Sequence, residues 1–228
     1  MSSRGLKMVN LIPVHSMLVE LHGGMLTLAV VCILATVAAR SHLRMRRTND
    51  NYGIFWPADS FMGKLARYTE PTAYLAGMGG VIGIIASAIV GFYVWPMELV
   101  TTSAMALSKI MFSVFALELW IVFVFLRSKY GENLWKNGGT AAVYSLLAIF
   151  GFLFVVLAGS LGGHMAGKGS VLDPLYSLLG IKPETFGVTG LNFAVVSVTG
   201  SLVAIAVPIA VFLYFQRRAK PKLANPTS

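Results

Sequence analysis

From Thr140 to Met165 the chain runs without one Asp, Glu, Lys or Arg, and four more stretches come close to the same. A bilayer core needs about 20 apolar residues of helix to cross it, at about 1.5 Å of rise per residue. In hydrocarbon an unpaired backbone N–H or C=O is costly, so runs of this length close their hydrogen bonds internally, as helices. That leaves one fold class: an all-α, polytopic membrane bundle. Composition agrees. Charged residues make up 12% of the chain and mean hydropathy is +0.74, where a soluble domain carries about 25% charged residues.

Periodicity and charge place the spans at 12–39, 72–95, 104–126, 140–165 and 189–215. Residues 1–215 then form a single transmembrane domain, and residues 216–228 a basic cytoplasmic tail whose end, AKPKLANPTS, is expected to be disordered. Lys and Arg concentrate between Arg40 and Tyr68, between Arg127 and Lys136, and after Gln216. By the positive-inside rule this predicts an outer N-terminus, a cytoplasmic C-terminus and location in the cytoplasmic membrane. The net charge of +9 therefore reports topology rather than nucleic-acid affinity. The apolar core of the first span starts late, after His15, Glu20 and His22, and runs into Arg40, Arg44, Arg46 and Arg47. It reads as a retained helix rather than a signal peptide. The one cysteine, Cys32, lies in an apolar run and builds no disulfide framework.

Two further pieces look structured. WPADSFMGKLARY has Asp59 or Ser60 as an N-cap, apolar Phe61, Met62 and Leu65, and basic Lys64 and Arg67, which predicts a short helix lying on the cytoplasmic interface. VLDPLYSLLG has Asp173 before Pro174 as a helix start and Gly180 as its stop, along the outer interface. Trp56, Trp95 and Trp135 fall where interfacial anchors belong.

Small residues recur every fourth position on two spans: Gly79, Gly83, Ser87 and Gly91, then Gly159, Gly163 and Gly167. Residues four apart share a helix face, and small ones let another backbone approach. Such a face packs another helix, or accommodates a flat ring such as a porphyrin or quinone.

Three of the four histidines fall at one depth. His22 lies about 27 Å along its helix from Arg40, and His164 about 36 Å from the start of its own antiparallel span. His15 stands about 10 Å beyond His22 on nearly the same face. Lys109 opens the third span on that side, whereas His42 falls among the cytoplasmic arginines. Haem b suits this set: an iron porphyrin takes axial imidazoles from two facing helices, and a nearby cation balances a propionate. One helix cannot sandwich a haem between His15 and His22, so the expected metal ligands are His22 and His164, with His15 and His164 as the second pair. Met17, Met25 and Met165 are alternative axial donors. Three histidines at an interface also occur with no ligand at all. A copper or zinc site from His15, Glu20 and His22 fits less well, because ligands three or four apart chelate one metal better than a seven-residue spacing.

Glu118 lies about 13 Å from Arg127, near mid-bilayer, where an ionisable group marks a proton relay, a pathway or a buried partner. Glu20, beside His22, is a candidate to orient an imidazole N–H. No Gly-rich phosphate loop, nucleophile elbow or HExxH pattern is present.

The patches HSMLVELHGGMLTLAV and LAGSLGGHMAGKGSVLDP resemble those of an uncharacterised family of bacterial and archaeal membrane proteins. Its members open with a histidine-containing apolar stretch and end a later helix with Gly-Gly and a basic or histidine-bearing turn. This chain departs from it in the histidine spacing of the first patch, and has Lys109 where a histidine is expected. The resemblance implies a small helical bundle linked to redox chemistry. In architecture alone the chain is similar to the b-type cytochrome anchors of respiratory complexes.

The reading expected from these residues is a b-type cytochrome subunit of a membrane redox complex. It would carry electrons between an extracytoplasmic partner and quinone or another subunit. Its rivals are a structural subunit of a larger membrane complex, and a small transporter using Glu118. The last lacks the inverted repeat or paired broken helices common in transporters.

Overall fold

A computed structural model describes residues 11–48, 59–182, 187 and 189–219. The expected anchor Trp56 and the tail from residue 220 lie outside these residues. Among them the chain is helical, without strands: α1 (Ile12–Thr48), α2 (Asp59–Val94), α3 (Met97–Thr102), α4 (Ala104–Tyr130), α5 (Gly138–Met165), α6 (Asp173–Leu178) and α7 (Gly190–Ala219), with a 3-10 turn at Gly131–Trp135. Five of the helices are long and apolar enough to cross a membrane: α1, α2, α4, α5 and α7.

The spans extend beyond their apolar segments. α1 continues through its arginines to Thr48, and α7 takes in the first residues of the basic tail. The largest difference lies at α2. The interfacial helix expected within residues 56–68 is not separate; from Asp59 on it forms the first turns of α2, which passes through Pro71 without a break. Proline removes one N–H and crowds the carbonyl four residues back, here that of Arg67. Both Pro71 and Arg67 are exposed, so that carbonyl is not sealed in the core. α6 begins at Asp173 with Pro174 in its first turn, as its sequence predicts, and Gly180 follows with φ +65°.

Successive spans run antiparallel. One end of the bundle, the histidine end, gathers the N-terminus of α1, the C-terminus of α2, the N-terminus of α4 and the C-terminus of α5. There His15 meets Ser87, and Lys109 lies against Gly162. At the opposite, arginine end, Arg46 pairs with Asp59 at 2.8 Å, and the Asn137 side-chain amide donates to the Phe215 carbonyl at 2.9 Å.

The core lies among α1, α2, α4 and α5. Trp120 sits edge-on to Phe123, which stacks on Tyr144 with centroids 4.3 Å apart, and Trp135 closes the row at 5.7 Å. Gly77 and Gly151 admit these rings: a Cβ on Gly77 would stand 3.0 Å from Phe123, and one on Gly151 2.9 Å from the Trp120 nitrogen. α7 packs along one edge, through Gly200 against Phe115 and Phe215 against Gly139. Only 6% of its apolar window is buried, against 33–44% for the other four spans.

Candidate functional site

The histidine end is built on the small face of α2. That face is filled by α1: Met25 covers Gly79, Leu26 covers Gly80, His22 covers Gly83 and His15 covers Gly91. A ring therefore has no slot between α1 and α2 along this stripe. On α5 the glycines differ from one another. Gly159 has nothing within 4 Å of a Cβ position, Gly162 meets the Lys109 side chain, and Gly163 meets the Gly169 carbonyl. Gly167 does not belong to the stripe, because α5 ends at Met165. It and Gly169 both hold φ +69°, the left-handed conformation glycine adopts without a Cβ penalty, and so reverse the chain after the helix.

Each histidine at this end is fixed through one ring nitrogen. His15 Nδ1 lies 3.0 Å from the Ser87 carbonyl and His22 Nδ1 lies 2.9 Å from the Leu18 carbonyl. A carbonyl only accepts, so both Nδ1 atoms carry the proton, and in the neutral ring Nε2 keeps its lone pair. Neither Nε2 has a hydrogen-bond partner among the described residues. His164 is held the other way round. Its Nε2 donates to Asp173 Oδ1 at 2.9 Å, and Asp173 Oδ2 accepts the Ser170 N–H at 2.9 Å. The Tyr176 ring stands 6.5 Å away. Asp173 thus ties the end of α5 to the start of α6 and leaves His164 Nδ1 as the open nitrogen.

Lys109 connects the two halves. Its Nζ and Cε lie 3.3 Å from the Cβ position of Gly162, and its charge acts on both His15 and His22. It has no acidic partner among the described residues. No hydrogen bond or ion pair joins His22 to His164 among those residues.

The two carboxylates singled out from sequence behave differently. Glu20 is exposed and sits about 200° around α1 from His22, and it is Leu18, not Glu20, that orients the His22 ring. Glu118 is half-buried, and its Oε2 is shielded from solvent with no hydrogen-bond partner among the described residues. It lies nine residues from both Lys109 and Arg127, two and a half turns each way, so it faces away from both. Among the described residues, no three His, Cys, Asp or Glu side chains come together as a metal-ion site, and the chelate from His15, Glu20 and His22 does not form.

Sequence reasoning missed a polar cluster at the arginine end. Glu70, 2% exposed, accepts two hydrogen bonds from Arg127, one from Nε and one from Nη2 at 2.8 Å. The Arg127 guanidinium also stands 5.7 Å from the Tyr74 ring, and Tyr74 bonds Ser128 at 2.8 Å. Tyr144, fully buried, is close enough to feel both charges of the pair. A signal was present: Ala66, Glu70, Ala73 and Gly77 recur at four, three and four, a helical face of small residues with one acid in it. Treating residues 56–68 as a separate helix hid it.

No family model, curated protein or solved structure matches the chain. What defines it is its architecture, a five-span helical bundle of the multi-pass membrane class, with a polar cluster at each end.

Proposed function

We propose that this chain is a membrane-integral electron-transfer subunit of the b-type cytochrome kind, in the cytoplasmic membrane with its histidine end outward. One observation carries the reading. At one end of the bundle, imidazoles on two helices are each fixed through one ring nitrogen with the other left without a protein partner, and an unpaired lysine stands against Gly162 at the same end. Metal-ligating histidines are prepared in this way, by a carbonyl or carboxylate on the far nitrogen. The donor set fits a porphyrin better than a bare ion. A bare ion needs three or four protein ligands, and no such group forms among the described residues. A haem brings four nitrogens of its own and would ask no more than two donors of the protein.

In this reading His22 would supply Nε2 and His164 would supply Nδ1, with His15 as the alternative donor on α1. Leu18 and Asp173 hold the two rings in orientation, and Lys109 offers its ammonium to a propionate. When bound, the haem supplies reversible one-electron iron chemistry. The bundle orients its ligands and excludes water from one side of them. Glu118 is the candidate for moving a proton toward a quinone or partner subunit.

The test is a reduced-minus-oxidised visible spectrum of the purified protein, with pyridine extraction. A b-type α band lost in His22→Ala and in His164→Ala, and retained in His42→Ala, supports the reading. A protein without a Soret band and without extractable haem ends it. A second reading, a subunit that serves the assembly of a larger membrane complex, draws on a different observation: α1 already fills the α2 glycine face, while α7 packs on one edge and leaves most of its apolar surface exposed. Co-purification with a complex whose activity survives both alanine substitutions favours that reading.

A further inference from the structure

α7 shares with α4 and α5 a groove of about 440 Å³ lined by apolar residues alone. Phe115, Leu147 and Phe154 contribute from α4 and α5, and Gly200, Val207 and Val211 from α7. Toward the arginine end a second hollow, of about 530 Å³, is walled by α7 alone, through Ala210, Leu213, Tyr214, Arg217 and Arg218. Of its residues, Tyr214 and Arg218 fall on the groove's face of the helix. Gly200, Val207, Val211, Tyr214 and Arg218 follow at intervals of seven, four, three and four, a single helical stripe. The Arg218 guanidinium stands 4.7 Å from the Tyr214 ring. Neither Arg217 nor Arg218 has a carboxylate partner among the described residues. In the sequence Lys220 and Lys222 follow.

The dimensions discriminate among occupants. From Gly200 to Val211 the groove runs about 16 Å, close to one leaflet of a hydrocarbon core about 30 Å thick. Arg218 stands about 10 Å further on, at headgroup level. A slot one leaflet deep with unpaired guanidiniums at its mouth complements an acyl or isoprenoid chain that ends in an anionic phosphate. Planar guanidinium forks suit phosphate, and a basic segment just outside a span attracts anionic lipid. A neutral quinone leaves the arginines without a counter-charge, and a partner helix has no need of a cationic mouth.

We propose that α7, α4 and α5 form a binding site for one anionic phospholipid, its chain in the apolar groove and its phosphate on Arg217 and Arg218. The site does not rest on the haem reading. The test uses the full chain purified in mild detergent. Bound lipid is identified by mass spectrometry, and the melting temperature is followed as phosphatidylglycerol or phosphatidylcholine is added. The expected result is a retained anionic phospholipid and a rise in melting temperature with phosphatidylglycerol alone. The rise is lost in the Arg217→Gln/Arg218→Gln double variant, whose side chains lie outside the core, and in Val207→Phe, which fills the groove and leaves the arginines intact. Equal shifts with both lipids, an undiminished shift in the double variant, or a neutral isoprenoid as the retained molecule overturns the proposal.

Discussion

Glu70 and Arg127 are the residues with most at stake for stability. Two charges withdrawn from water are tolerated when each satisfies the other, and both bonds of the carboxylate go to one guanidinium. Removing one partner of such a pair costs about 3–5 kcal/mol, whereas replacing both with apolar residues of similar volume is often nearly neutral. Glu70→Leu should therefore lower the stability of the folded protein by an amount in that range, measured by unfolding in detergent. The Glu70→Leu/Arg127→Met double variant should recover most of the loss. Equal losses in the single and double variants would mean that the pair does not act as a unit. The histidines differ in kind. His15 and His22 bond backbone carbonyls, so their substitution removes an orientation rather than a charge pair. His164 bonds a carboxylate that itself organises a loop, which makes it a staple as well as a candidate ligand. None of these three partnerships was legible from composition or spacing. What spacing did show was depth, and depth alone brought His22, His164 and Lys109 to the same end.

At the scale of the helix, α2 is where sequence and structure part most. Its small residues offer a face to another helix or to a flat ring, and which of these meets it is not encoded in α2. α1 does so, and it uses His22 and His15 among its contacts. The glycines are consequently unequal. A Cβ on Gly83 would meet the Cβ and backbone Cα of His22, whereas one on Gly159 of α5 would meet nothing within 4 Å. Gly83→Ala should destabilise by about 1–3 kcal/mol, the usual cost of overpacking a tight contact. Gly159→Ala should stay within about 0.5 kcal/mol of the parent, as surface changes do. Thermal melts of the two variants side by side check this, and equal effects would show that the α1–α2 contact is not tight. The separate interfacial helix expected within residues 56–68 differs from the structure for a related reason. Its apolar and basic pattern is genuine, but the helix continues through Pro71 on its exposed face into the apolar span.

For the whole molecule, the proposed orientation rests on charge alone. The arginine end carries Arg40, Arg44, Arg46, Arg47, Arg127, Lys129, Lys136, Arg217 and Arg218, which the positive-inside rule assigns to the cytoplasm. In a cysteine-free background made by Cys32→Ala, Lys136→Cys should react with an impermeant maleimide only after the cells are opened. Lys168→Cys should react in intact cells. The reverse pattern would invert the bundle and move the histidine end to the cytoplasm. The number of long apolar helices was legible before any tertiary contact, because each membrane helix must satisfy its own backbone from residues four apart in sequence. The pairings that make a site were not. Glu70 finds Arg127 57 residues away, and His15 finds the Ser87 carbonyl 72 residues away. Which helix faces meet is settled by side-chain packing across the bundle, so a one-dimensional pattern reveals which residues lie level in the membrane, and only the packed bundle reveals which of them touch.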